Sequence, residues 1–358
     1  MVNNTVDPKP CVQTSDWPEE GLESVRQCPV CGSETRSRLH EGLTDRVFFC
    51  APGRWTLYQC EKCHSAYLDP RPTSETYHIA YQRYYTHTAP KRLATAELKP
   101  VRRCIRALVN DYRNYRYGGH LLPASPFGRF AILALPNLRR EIDRGLRHLP
   151  FVWPGARLLD VGFGSGLFLE MARDLGWTVV GVDPDPIAVE TAQLRGLDVQ
   201  QGGIEALADQ VASFNVITLN HVIEHVHEPR KTIELAFTLL KPGGMLFLET
   251  PNIESAGHLE FGKDCLSLDP PRHLMLFTWA SLESLLREAG FDRIKPCPCF
   301  NAYKGIAGSS RAVRQGKDYQ SSKIITMNDR VKSFFLSANI YFNQRLSEFI
   351  TLVAYKPN

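Results

Sequence analysis

From residue 157 to the C-terminus, short apolar runs alternate with amphipathic stretches. Leu158, Leu159 and Val161 make the first run, which ends in a turn carrying Gly162, Gly164 and Gly166. Residues 167–175 then place apolar side chains at three- and four-residue spacing, the period of a helix buried on one face. Val179 to Val182 is a second apolar run, stopped by Asp183. The pattern predicts a short strand and turn over 199–207, and a buried strand entering a histidine-rich turn over 214–229. Over 239–252 it predicts a Pro-Gly-Gly turn ahead of a strand ending in Glu249 and Pro251. An amphipathic helix over 281–291 closes on Gly290, and 347–357 reads as a final strand antiparallel to its neighbours. Such alternation predicts a doubly wound, mostly parallel α/β sheet with ligands at the carboxyl ends of its strands.

The glycine turn narrows the ligand. Strand, glycine turn, helix, strand and acid make a mononucleotide-binding half, whose closing carboxylate can accept hydrogen bonds from ribose hydroxyls. A dinucleotide would set a pyrophosphate over the glycines, where Asp160, two residues ahead of Gly162, would repel it. An acid there suits an ammonium group, and the spacing is G-x-G-x-G, not G-x-G-x-x-G. Both features fit S-adenosylmethionine, which carries an amino group and a sulfonium and no phosphate. The competing reading is a glycine-rich turn in an unrelated α/β domain.

Two C-x-x-C pairs near the N-terminus, Cys28/Cys31 and Cys60/Cys63, are separated by 28 residues. Each pair can bring two thiolates to one tetrahedral ion, and the closed four-thiolate set predicts a structural zinc ribbon. Cys50 is an alternative ligand, and two disulfides or a redox pair are the competing readings. Cys11, Cys104, Cys265, Cys297 and Cys299 show no pattern beyond Cys297-Pro-Cys299. The chain thus divides into a loose lead-in (1–26), the ribbon (27–72, leaving through Asp69-Pro70-Arg71-Pro72), a helical lid or substrate segment (73–149) and the sheet domain (150–358) with an insertion at 300–345.

Composition adds limits. With 358 residues and 43% hydrophobic content, the chain can bury a full α/β core and a small module besides. No apolar run approaches the roughly 20 residues that span a bilayer, and the polar start lacks a secretory signal, so a cytoplasmic location is expected. The net charge is only +4, yet residues 91–149 hold thirteen Lys and Arg against four Asp and Glu. Such density would attract an anionic small molecule, a carrier-linked intermediate, an anionic lipid or RNA, unless it is a solvated helical face. Tyr112, Tyr115 and Tyr117 interleave with Arg113 and Arg116, as in base-stacking surfaces and in lid helices.

The segments LLDVGFGSG, GVDPDP, NHVIEHV, KPGG and DPPRHLMLFTWASLESLLREAGF resemble the class I S-adenosylmethionine-dependent methyltransferases, in particular the ubiquinone-type and sugar-modifying branch, over residues 150–300. The resemblance implies a Rossmann-like sheet of seven strands. It implies that Asp160, Gly162, Gly164 and Gly166 hold the methionine part of the cofactor and Asp183 the ribose. Pro184 and Ile204 would flank the adenine, and Asn220 would lie beside the methionine end. A ribbon ahead of such a domain resembles sugar C-methyltransferases and some natural-product enzymes. His225 would face the transferred methyl group and His273 the substrate pocket, as base or substrate contact, and Tyr84, Tyr85 and His87 would close the site.

Two departures bear on the acceptor. Sugar C-methyltransferases carry an acid and a tyrosine where this chain has Pro270, Pro271 and Arg272, and the ubiquinone-type branch carries a glutamate at the position of His221. The expected activity is methyl transfer to oxygen or carbon of a small molecule or a glycan or natural-product precursor. Three rivals stand beside it. One is an RNA methyltransferase using ribbon and basic helices; another is a non-catalytic zinc-ribbon binding protein. The third is an inverted zinc protease, from His221-Val-Ile-Glu224-His225, which needs both histidines on one helix face. His221 and His227 are otherwise polar turn residues.

Overall fold

The computed structural model describes residues 16–82, 99–298, 301–317, 319, 324–342 and 344–358. Tyr84, Tyr85, His87, Cys11 and Cys299 lie outside the described residues.

The chain opens with β1 (Leu22–Glu23), β2 (Arg36–Leu43), β3 (Trp55–Cys60), β4 (Ala66–Leu68) and β5 (Arg71–Pro72). Three helices follow: α1 (Pro100–Tyr117), α2 (Gly128–Leu133) and α3 (Pro136–Gly145). The core then alternates β6 (Arg157–Val161), α4 (Leu167–Leu175), β7 (Thr178–Asp183), α5 (Pro186–Leu194), β8 (Val199–Gln201), β9 (Phe214–Asn220), α6 (Pro229–Leu239) and β10 (Leu240–Pro251). It closes with α7 (Ala256–Phe261), β11 (Met275–Leu276), α8 (Trp279–Glu288), β12 (Asp292–Pro296), α9 (Tyr303–Arg314), α10 (Met327–Phe342) and β13 (Phe349–Tyr355).

Seven strands form one sheet in the order β12-β13-β10-β9-β6-β7-β8. The central pairs are parallel, and β13 lies antiparallel between β10 and β12. β6 and β9 are neighbours on opposite sides of the reversal in winding, the place where open α/β sheets bind ligands. Local chemistry explains the element ends. Gly166 precedes α4 and Gly176 ends it, both left-handed, at φ 71° and 110°. Pro186 opens α5, and its Asp185 cap accepts the Ile187 N–H at 2.9 Å. The Pro-Gly-Gly segment, expected as a turn ahead of its strand, instead lies within β10 as a register shift between Leu240 and Met245.

The ribbon is continuous with this core. β2, β3 and β4 form a four-stranded sheet whose fourth strand, β11, comes from the late part of the chain. Val25, Cys28, Val30, Cys60 and Tyr67 share one apolar cluster with Leu159, Ile217 and Leu248 of the large sheet. Residues 16–26 are not loose: Trp17 is buried edge-on against Trp55 at 5.3 Å, and Val25 is buried too.

Candidate functional site

Two loops meet at the carboxyl ends of β6 and β9. After β6, Gly162, Gly164 and Gly166 all take positive φ, so the turn can be tight where side chains would strain it. A Cβ on Gly162 would stand 2.7 Å from Val222 of the β9 loop, so the two loops pack together there. A Cβ on Gly164 would meet nothing within 4 Å, which leaves its backbone face open to a ligand. Asp183, at the end of β7, accepts the Gly164 N–H at 2.8 Å and the Asp185 N–H at 3.0 Å, which holds the carboxylate against the turn. Burial pushes its pKa up, against those two backbone donors. Pro184 follows it on the surface, Ile204 is buried beyond β8, and Asn220 closes β9.

Asp160 is fully buried, and one carboxylate oxygen is taken by Arg147 and by the Thr218 hydroxyl, the latter at 2.8 Å. Arg147 also reaches the Thr218 hydroxyl oxygen at 2.8 Å. The other oxygen, Oδ2, is buried with no hydrogen-bond partner. A buried carboxylate oxygen left unmatched beside a glycine turn is an acceptor held ready for a donor from a ligand. The glycine face, Asp183 and this oxygen fit an ammonium-bearing nucleoside. Burial raises the Asp160 pKa, and the Arg147 charge opposes the rise.

The loop after β9 carries the titratable groups. His221, at φ 54°, points between two acids, with Nδ1 3.2 Å from Glu224 Oε1 and Nε2 3.4 Å from Glu249 Oε1. Glu249, at the end of β10, also takes Arg144 in a forked pair, its nearest contact 2.6 Å, and the Thr351 hydroxyl at 2.8 Å. Glu224 accepts the Thr250 hydroxyl at 2.9 Å. Burial alone would depress His221, but the two carboxylates outweigh it and raise its pKa to about 9. Burial likewise opposes ionisation of Glu224, yet His221, which hydrogen-bonds it, holds it at about 2. Glu249 lies far below the usual carboxylate range, because His221 and Arg144 outweigh its burial. Two anions and two cations therefore balance at neutral pH. His221 is an ion-pair member, not a simple turn residue. The backbone here is a turn and not a helix, which excludes the inverted-protease arrangement.

His225 and His273 come together, their rings 4.9 Å apart. His225 Nδ1 lies 2.8 Å from the Arg272 carbonyl, and His273 Nδ1 lies 2.8 Å from the Ser267 carbonyl. Each Nδ1 must therefore carry a proton and donate it, and in the neutral tautomer the lone pair sits on Nε2. Tyr77 donates to the same Arg272 carbonyl at 2.5 Å, and the Tyr81 hydroxyl lies 3.1 Å from His225 Nδ1. Burial depresses His225 to about 4, against the nearby Glu224 charge, so its ring is neutral at pH 7. Its Nε2 stands 4.0 Å from Glu224 Oε1. Ligand atoms of Glu224, His225 and His273 lie within 4.8 Å of one another, a spacing that would also admit a divalent cation.

Arg272 holds this arrangement. Its guanidinium is fully buried, paired with Asp45 and Asp269 at 2.5 Å each, bonded to the Ala80 carbonyl at 2.9 Å and placed over the Phe48 ring. Asp45 in turn accepts backbone N–H groups from Val47, Phe48, Cys50 and Ala51. The residue that replaces the expected acid and tyrosine thus presents its carbonyl to the His225 ring.

The four cysteines converge as well. Cys28 Sγ lies 3.6 Å from Cys63 Sγ, Cys31 Sγ lies 3.5 Å from Cys60 Sγ, and all four sulfurs fall within 4.8 Å of one another. A tetrahedral ion with bonds of about 2.3 Å needs sulfurs roughly 3.8 Å apart, so the set fits a zinc ion. Cys50 is elsewhere, against the Ala80 carbonyl and 4.0 Å from Arg272. His227 faces the ribbon exit, its Nε2 2.9 Å from the Pro72 carbonyl.

Sequence reasoning missed Arg144, Arg147 and Tyr77, and it named Arg272 only as a departure from the family pattern. The two α3-region arginines were visible only as part of a basic stretch, and their partners, Glu249 and Asp160, lie 105 and 13 residues away.

Residues 135–295 match a family model described as a methyltransferase domain. The ubiquinone biosynthesis O-methyltransferase of Xanthomonas campestris pv. campestris (strain B100) is 42% identical over 106 residues, 28% of this chain and 44% of that relative. Its counterpart from Xanthomonas oryzae pv. oryzae (strain PXO99A) is 43% identical over 105 residues, 27% of this chain and 44% of the relative. The match spans less than half the length of these relatives. An S-adenosylmethionine-dependent methyltransferase from Archaeoglobus fulgidus superposes with a TM-score of 0.40 at 21% identity, covering 63% of this chain and 93% of that one. Residues 135–295 thus match a methyltransferase domain, and the seven-stranded order with a glycine turn at its switch point agrees with the Rossmann-like sheet implied by the resemblance to class I S-adenosylmethionine-dependent methyltransferases.

Proposed function

We propose that the chain transfers a methyl group from S-adenosylmethionine to an oxygen or carbon of a small, carrier-linked or anionic molecule, with His225 as base or substrate contact. The unpartnered Asp160 Oδ2 beside an open glycine face is the observation that carries this reading. Asp160 and the backbone of Gly162, Gly164 and Gly166 would hold the methionine part, and Asp183 the ribose. Pro184, Ile204 and Asn220 would complete the site around the adenine and the methionine end. When bound, the cofactor supplies an activated methyl on sulfonium, so the chain's own task is alignment and proton removal.

His225 suits the second task through its hydrogen bonding. With Nδ1–H fixed on the Arg272 carbonyl, Nε2 can accept a hydrogen bond from an acceptor hydroxyl or acidic C–H. A ring of such low basicity takes the proton only as the acceptor gives up its electrons to the methyl carbon. The Glu224 carboxylate, 4.0 Å from Nε2, then stabilises the imidazolium that forms. His273, presenting its own Nε2 alongside, would orient the acceptor. The four-cysteine set would hold a structural zinc ion that pins the ribbon to the core and takes no part in the chemistry.

The relatives named above are O-methyltransferases, which favours oxygen as the acceptor atom. The test is a methylation screen by mass spectrometry over phenols, hydroxy acids and sugar-derived acceptors. A methylated product that vanishes in His225→Ala supports the proposal. Unchanged turnover in that variant rejects the role given to His225.

A further inference from the structure

Among the described residues, the helices ahead of the core leave a face uncovered. From 99 to 140 the chain carries nine Lys and Arg and one acid, Asp111, which is engaged by the Arg129 backbone N–H at 2.7 Å. α1 has an apolar stripe through Val101, Ile105, Leu108 and Tyr112. At its C-terminal end the stripe is covered: Tyr112 is buried and donates to Asp143 of α3 at 2.7 Å. Two turns earlier it is bare, with Val101 70% and Ile105 53% exposed.

The segment after α1 folds back along the helix. The Leu121 N–H bonds the Asn114 side chain at 2.8 Å, the Asn110 side chain bonds the Pro123 carbonyl at 3.0 Å, and the Ser125 N–H bonds the Ala107 carbonyl at 3.0 Å. Gly128 then lies so close to the Leu108 carbonyl that a Cβ would be 2.2 Å away. The flanking Phe127 and Phe130 therefore lie beside α1, and they are 73% and 63% exposed. The Arg129 guanidinium lies 5.2 Å over the Phe130 ring, a cation resting on an apolar side chain.

We propose that this α1–α2 face docks the protein on an anionic lipid surface. Val101, Ile105, Phe127 and Phe130 offer no polar tip, and Val101 and Ile105 have no ring to stack on a base, so hydrocarbon relieves their exposure better than a nucleic acid does. Arg102 and Arg103, exposed on the same two turns, match lipid phosphates in sign. Among the described residues no helix is long and apolar enough to cross a membrane, so the contact is peripheral. Docking itself does not depend on methyl transfer.

The test is co-sedimentation of the full chain with vesicles of phosphatidylcholine, with and without phosphatidylglycerol. Binding only to the phosphatidylglycerol vesicles, weakened by salt, is expected. Each cation at the surface is worth about fivefold, so Arg102→Glu with Arg103→Glu should weaken binding about twenty-five-fold or more. Phe127→Ser with Phe130→Ser should weaken it at least tenfold. Calorimetric affinity for S-adenosylhomocysteine, measured on the same samples, should not change, which separates failure of docking from failure of the cofactor site. No binding to phosphatidylglycerol vesicles, or equal binding by all variants, overturns the proposal. Salt-sensitive binding of a short RNA without vesicle binding overturns it too and assigns the face to nucleic acid.

Discussion

Replacing Arg272 with leucine strips a fully buried guanidinium from Asp45 and Asp269 and leaves Asp45, whose side chain is 1% exposed, without a countercharge. Breaking a buried pair by removing one partner costs about 3–5 kcal/mol. Two structural terms pull in opposite directions. The four backbone N–H groups on Asp45 stay in place and stabilise its charge, which favours the lower end. Loss of the cation over the Phe48 ring, 4.6 Å from its centroid, adds about 1 kcal/mol. We expect roughly 3–5 kcal/mol in urea unfolding. Asp45→Asn on top of Arg272→Leu should recover part of that loss, because the orphaned charge is gone. The second readout is functional: with the Arg272 carbonyl no longer fixed, His225 should lose its single tautomer in nitrogen-15 histidine spectra. A cost below about 1 kcal/mol, or simple additivity of the two substitutions, would refute the clamp.

The remaining predictions concern the metal, pH and catalysis. Purified protein should contain one zinc, and a chelator should lower Tm by about 5 °C or more, since Cys28 and Cys60 pack in the main apolar cluster; metal-free protein of equal Tm would reject the ribbon's structural role. The raised His221 pKa contributes stability that is complete below pH 6.5 and is lost as pH climbs through about 9. With the side chain 33% exposed, that contribution is discounted to about 1–2 kcal/mol; urea midpoints between those pH values should fall more steeply in wild type than in His221→Gln, and parallel slopes would sink the ion-pair reading. His225→Ala should keep the wild-type affinity for S-adenosylhomocysteine and slow turnover about a hundredfold or more; a large loss of cofactor affinity would instead make His225 a cofactor contact.

Much of the fold was written in local patterns. Apolar runs, the glycine turn, Asp183 and the helix ends marked by Gly176 and Gly290 are signals within a few residues of one another. The four cysteines were readable for the same reason, because each pair is a two-residue turn. What stayed hidden depended on distance along the chain. Arg272 meets Asp45 across 227 residues, Arg144 meets Glu249 across 105, and β11 joins the ribbon sheet from the far side of the core. The charge of His221 was likewise illegible, because only the packed sheet puts Glu249 on its other nitrogen. A basic stretch read as a diffuse attractor for anions proved to include two arginines committed to buried carboxylates.

Calorimetric titration of the zinc-replete wild-type chain with S-adenosylmethionine and S-adenosylhomocysteine, beside Asp183→Ala, tests the central claim. Saturable one-to-one binding of both compounds by wild type, lost or weakened at least a hundredfold in the variant, is the expected result. A folded wild-type protein that takes up neither compound, or a variant that binds them as well as wild type, would contradict it.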